Sequence, residues 1–467
     1  MDEFKVKTCV NANFYFKPGH FADNYKNKSI SIQSIINQKI KMKTKVFSIS
    51  FFLFCLVLAS CSKDEVAPIN VTLGSGTASG TWKKGGTYTI NGSLTIPKDS
   101  SLTIEEGVTV LFADSAKRSE IIVNGNIYVM GTSSNHVRFT IPAQYKTAAN
   151  AMKGFWGGIV ASPTNTEILI LNAEIEYAGA VTTSNSLSVI NGLYKATAGE
   201  KIPALYASNP AGKVVVMNSK ITNIKEDVFY MEGGNIIFAN NTFGPSGLEN
   251  GGVMNLKSGC TADMAYNVVF SSNSDAFKLS NTGTKTPQTH AVAYNNTIVN
   301  CGWRRPDIKG GSIWLEKLVY AELYNNLLVN NRWGVKFSGA DSRTVYDYTY
   351  YYGYDQITVD QFTPNATSWK EVVRGVHDIA GTTAKSNDPK FVNYPLNNSG
   401  VVNNVFSDGV LNYTFSTDWD FHLQAGSPAL TGGKTDVVRN FPNGLTIKGV
   451  AYSAPAASAF FGAFGTK

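Results

Sequence analysis

Apolar residues recur along this chain in short runs that end at an asparagine, skip two positions and resume. The pattern reads Ile170-Leu171-Asn172 to Ile175, Val189-Ile190-Asn191 to Tyr194, Val216-Met217-Asn218 to Ile221 and Phe238-Ala239-Asn240 to Phe243. It continues as Ala265-Tyr266-Asn267 to Phe270, Ala293-Tyr294-Asn295 to Ile298 and Leu323-Tyr324-Asn325 to Leu328. Successive asparagines lie 19, 27, 22, 27, 28 and 30 residues apart. A unit this short buries no core of its own, so the repeats must stack. The pattern predicts a parallel β-solenoid, in which each coil lays its strands on the previous one at about 4.8 Å and alternate side chains enter one continuous core. Asparagine suits the bend between strands because it tolerates a left-handed φ and its amide can bond turn backbone or the asparagine of the next coil. Upstream, Gly92–Ile96, Leu102–Phe112 and Ile121–Thr132 alternate with the period of two expected of strands.

Composition agrees with an all-β chain. Only 16% of the 467 residues are charged, against roughly 25% in ordinary globular proteins, while Phe and Tyr supply 48 residues. Disordered, collagen-like and coiled-coil chains are excluded. The net charge of +7 suggests nucleic acid until it is divided along the chain. Residues 1–60 hold nine Lys and three acids, which leaves 32 basic and 31 acidic residues in the remainder. No basic footprint for nucleic acid survives in the body of the protein.

Those first residues read as an export signal. Met42-Lys43-Thr44-Lys45 is a basic start, Val46–Leu58 is an apolar stretch too short to span a bilayer, and Leu58-Ala59-Ser60 ends it in small residues. Leu-Ala-Ser-Cys61 resembles a bacterial lipobox, which implies cleavage before Cys61 and lipid on its sulfur and amino group. Ser62-Lys63-Asp64-Glu65 resembles the acidic signal that sends some lipoproteins to the outer cell surface. Residues 1–41 are then a misassigned extension, 42–60 the signal peptide, 61–79 the lipidated Cys and a tether, 80–340 the coils, and 341–467 late coils with a C-terminal cap. The aromatic end, Phe460, Phe461 and Phe464, is expected to cover the open end of the solenoid. Cys260 and Cys301, both near apolar runs, are expected as buried thiols rather than a disulfide.

Several segments resemble the right-handed parallel β-helix, or pectate-lyase-like, proteins, in particular the surface lipoproteins of that fold. They are Leu102–Phe112, Gly131-Thr132 before Val137–Thr140, Trp156-Gly157-Gly158-Ile159, Asp388-Pro389-Lys390-Phe391, Asp420-Phe421-His422-Leu423, Gly426–Leu430 and Gly462–Gly465. The resemblance implies a fold whose enzymes are polysaccharide lyases or hydrolases with a site in a groove on one face, the lyases often using Ca2+.

The best chemical candidate is Trp303-Arg304-Arg305-Pro306-Asp307-Ile308-Lys309, an insertion between two coils. Arg304 and Arg305 would hold a uronate or sulfate bidentately, Lys309 would act as base and Trp303 would stack on a sugar. The alternative is a solvated loop whose charges pair with Glu316, Glu322 or each other. Tyr346, Tyr348, Tyr350, Tyr352 and Tyr354, spaced by two, would place five rings on one face of a strand, either to bind sugar or to cover a flank of the solenoid. Asp341, Asp347 and Asp355 nearby are candidates for a cation. His136, His290, His377 and His422 are isolated, and no phosphate loop or dinucleotide fingerprint is present. The sequence thus predicts a lipid-anchored outer-membrane protein that faces the exterior and binds a polysaccharide or cell-surface glycan without catalysis. The alternatives are a lyase or hydrolase of uronate-containing glycans and a structural partner of an outer-membrane complex.

Overall fold

The computed structural model describes residues 69–306, 309–364, 371–403 and 415–467; the export signal, Cys61 and Asp307 lie outside them. Asn70–Leu73, Gly76–Thr77 and Gly80–Trp82 open three different sheets, and Thr87–Ile90 returns to the first of them to start the next coil. Repetition of this order gives, among the described residues, sheets of twelve, eleven and ten strands, all parallel except for the antiparallel last strand of the second, Glu371–Val373, and so a right-handed parallel β-helix. Residues 70–79, expected as tether, therefore already belong to the first coil.

Strict alternation drives the stacking. Val110, Phe139, Ile175, Ile221, Phe243 and Val269 are successive register partners in the first sheet. Val129, Ile170, Val216, Phe238 and Met264 match them in the third, and both columns are buried in one core. A one-residue slip would turn a whole column outward, so the register is strongly specified.

The asparagine turns lie between the third sheet and the next strand of the first. Asn172, Asn218, Asn240, Asn295 and Asn325 take left-handed φ values of 46° to 57°. The residue after them forms a ladder: the Asn241 amide group donates to Asn267 Oδ1 at 3.1 Å, Asn267 to Asn296 at 2.9 Å and Asn296 to Asn326 at 2.9 Å. Asn267 belongs to this ladder, and Tyr266 takes the left-handed position in its coil. Asn191 does not belong to the repeat. It follows a short helix, Leu187–Ile190, inside an insertion between Glu176 and Leu205, so the coil from Asn172 to Asn218 is simply a long one.

The C-terminal region packs on flanks rather than on the open end. Phe391, Tyr394, Phe421, Leu423 and Phe461 cover the outer face of the first sheet from Val268 to Tyr352. Leu445, Ile447 and Ala454 cover the outer face of the third, from Tyr128 to Tyr324. The last coil is closed by Phe362 and Val373 against Tyr351. Cys260 and Cys301 are separate buried thiols, which burial raises to about 12 and about 11.

Candidate functional site

With the third sheet covered and the first covered from Val268 onward, the second sheet carries an accessible stretch in its later coils. Its outward column runs Ile122, Val160, Tyr206, Tyr230, Asn255, Lys278, Trp314, Lys336 in register. Leu193, Tyr194 and Ile202 of the insertion pack on Ile122, Val160 and Tyr206 and bury them. From Tyr230 to Trp314 the column is only partly buried, and here lies a cleft of about 540 Å3.

The turns that lead into these strands supply one wall. Asp227, Gly252 and Asp275 precede Phe229, Met254 and Phe277 by two residues each. The Asp227 carboxylate accepts from Gly252 N at 2.7 Å and from Asn255 Nδ2 at 2.9 Å. Gly252 is required there, because a Cβ would stand 2.3 Å from the Asp275 carbonyl oxygen. Glu226, beside Asp227, is buried, and burial followed by the Asp227 charge pushes its carboxyl up to about 7.

Arg305 and Lys309 line the same cleft, together with Lys278 and Trp314. Arg305 donates to Asn250 Oδ1 across the preceding coil. Lys278 sits 3.3 Å from Glu316 and 4.4 Å from the centroid of the Trp314 ring. Lys336, from the following coil, sits over the same ring at 4.4 Å. Beneath them Lys336 and Asp275 form an ion pair at 2.6 Å, both side chains shut away from solvent. Burial moves both toward neutrality, Asp275 upward and Lys336 downward, against their mutual attraction.

The other predicted site residues lie outside the cleft. Trp303 is 2% exposed and donates from Nε1 to the Asn330 carbonyl at 2.6 Å; a buried ring stacks on no sugar. Arg304 is 6% exposed and bonds the carbonyls of Ser246, Gly247 and Ser271. Its charge locks the insertion onto two earlier turns instead of meeting a uronate. The five tyrosines do not share one strand: the chain turns at Tyr348, whose φ is 53°. Tyr350, Tyr351 and Tyr352 are buried, Tyr350 and Tyr352 packing with the cap. Tyr346 packs on Phe337, Tyr348 stacks on His377 and Tyr354 lies beneath Lys385. Tyr350 and Tyr352 thus cover a flank of the solenoid.

Asp341 bonds Arg343 and Gln288, Asp347 bonds His377, and Asp355 caps the helix Gln356–Gln361. These separate partners leave the three acids without a shared cation position, and no group of three or more His, Cys, Asp or Glu among the described residues is placed to hold a metal. Asp263 faces the third-sheet cover, where it accepts from the backbone of Asn440 and Phe441 at 2.8 and 2.9 Å.

The cleft was readable in one signal that the asparagine spacing hides. Glu226-Asp227-Val228-Phe229, Gly251-Gly252-Val253-Met254, Ser274-Asp275-Ala276-Phe277 and Gly310-Gly311-Ser312-Ile313 are one repeat, two glycine or polar residues placed so that Phe229, Met254, Phe277 and Ile313 fall in register. Aligned on it, Asp227, Asp275, Lys278 and Trp314 fall on one face.

Residues 74–191 match the family model of the pectate-lyase-like β-helix domain. No curated protein and no solved structure matches the chain. The matched segment ends upstream of every residue that lines the cleft, so the match concerns the coil architecture.

Proposed function

We propose that this right-handed parallel β-helix binds an acidic glycan in the second-sheet cleft and is displayed on the outer cell surface through lipid on Cys61. The observation that carries the binding reading is the convergence of Lys278, Arg305 and Lys309 on a cleft whose other wall offers Asp227, Asn250, Asn255 and Ser274. An Arg fork and Lys point charges suit carboxylate or sulfate groups, and the amides and hydroxyl suit sugar hydroxyls. Both neighbours of Trp314 place an ammonium over its ring, so the anchors are charge and hydrogen bonds rather than ring stacking. The anchor reading is supported by the basic, apolar and small-residue segments ending at Cys61.

The test is retention of the purified protein on neutral, uronate-containing and sulfated polysaccharides. Uronate or sulfated chains should retain it, and an Arg305→Ala/Lys309→Ala double variant should bind at least about tenfold more weakly, the value of one charged hydrogen bond or more. Equal retention of that variant, or retention on neutral chains alone, overturns the reading. A lyase reading is favoured by the presence of Arg305 and Lys309 beside Asp227 in one cleft. In it the Lys309 amine takes the proton next to the uronate carboxylate, the freed electron pair forms the C=C bond of the unsaturated sugar as the adjacent glycosidic C–O bond breaks, and the leaving oxygen takes a proton from water. Ultraviolet absorbance of that product, abolished by Lys309→Ala with binding retained, separates it from pure binding.

A further inference from the structure

We infer that the cleft receives the end of an acidic glycan chain and not its interior, an inference that rests on the binding reading above. Along the helix axis the cleft is stopped on both sides. Upstream, Leu193, Tyr194 and Ile202 lie over the outward residues of three successive strands, Ile122, Val160 and Tyr206, which are 0%, 0% and 4% exposed. Downstream, the outward residue Lys336 is 0% exposed, its ammonium bonded to the Lys309 carbonyl and paired with Asp275. Tyr230 packs on the same wall, so the open stretch is three strands, those carrying Asn255, Lys278 and Trp314, or about 10 Å at the usual strand spacing.

Across the strands the cleft is stopped on a third side. The insertion that carries Arg305 and Lys309 is held over the earlier turns by Arg304, whose guanidinium bonds three turn carbonyls, and by Arg305 on Asn250. The interior of a polymer must leave a site at two places. With three sides walled, a bound chain has one exit, which is the condition met by a terminal segment.

Tyr194 anchors the upstream wall. Its ring is fixed edge-on against Tyr206 and Tyr230 at 5.5 and 5.1 Å.

The experiment titrates the protein with size-fractionated polygalacturonate and alginate of graded length and counts protein bound per chain. One protein per end should bind at every length, so capacity per unit mass falls as chains lengthen. Capacity per chain that rises in step with length overturns the end reading and leaves the binding reading in place. Absence of binding to every fraction overturns both. Tyr194→Ala, which opens the upstream wall, should shift the wild-type behaviour toward capacity that grows with length.

Discussion

Replacement of Lys336 by Met removes the positive half of a fully buried ion pair in the floor of the cleft. The pair stands at 2.6 Å with side-chain exposures of 0% and 1%. At an effective dielectric constant of ~20, two unit charges at that distance attract by about 6 kcal/mol, and this is opposed by a desolvation penalty of several kcal/mol per ion. The net worth of the intact pair is thus small, but Lys336→Met leaves Asp275 buried and uncompensated, a loss of about 3–5 kcal/mol. Met keeps the stem over Trp314, so little of the loss comes from packing. The double variant Asp275→Asn/Lys336→Met removes both charges and should recover most of the stability. Urea unfolding at pH 7, with midpoint and slope fitted for each variant, reads all three. Burial already raises the Asp275 carboxyl. In the single variant the uncompensated group is held further up, so the deficit is full while it is charged and should shrink as pH falls through its folded-state pKa toward the unfolded value of about 3.9. A single-variant loss under about 1 kcal/mol, or a double variant no more stable than the single, refutes the reasoning.

Asn267→Ala strips the ladder of its centre, leaving the buried Phe238 carbonyl, Asn241 N–H and Asn296 Oδ1 each short of a partner. At about 1–3 kcal/mol per orphaned group, the total loss by urea unfolding should reach about 3 kcal/mol, whereas Asn191→Ala in the exposed insertion should stay within about 0.5 kcal/mol. The Glu226 carboxyl, held up to about 7 by burial and Asp227, with Lys201, Lys195 and Arg305 around it, is protonated below that pH and charged above it. Affinity for a polyuronate should therefore rise as pH falls from 8 to 6, and Glu226→Gln should flatten the dependence; the check is a titration at both pH values.

The coil architecture was legible because its turn imposes a local demand. A bend that needs a left-handed φ selects Asn at 172, 218, 240, 295 and 325, and the strands between bends must alternate to feed one core. Asn191 imitated the pattern because a helix followed by Asn also places apolar residues before it. The tyrosine stripe misled for a related reason: a period of two specifies one face only while the strand continues, and the left-handed residue Tyr348 ends it. Trp303 and Arg304 were read as chemistry because charge and aromaticity in a loop look exposed. Their burial depends on carbonyls of Ser246, Gly247 and Ser271 and on Gly400, where a Cβ would strike the Trp303 ring at 2.1 Å. No local pattern carries contacts that span so many residues. Arg305 and Lys309, two of the three predicted cations, do line the cleft; their partners Asp227 and Lys278 come from other coils and became visible only with the lateral register.

Hydrogen exchange of the protein with and without a saturating short polyuronate tests the assignment of the cleft most directly. Exchange should slow in residues 250–255, 274–278 and 309–314, the segments that contribute to the cleft, and stay unchanged in residues 346–354, which lie outside it. Protection confined to 346–354, or to the charged outer face of the first sheet around Arg138, Glu174 and Lys220, would contradict it.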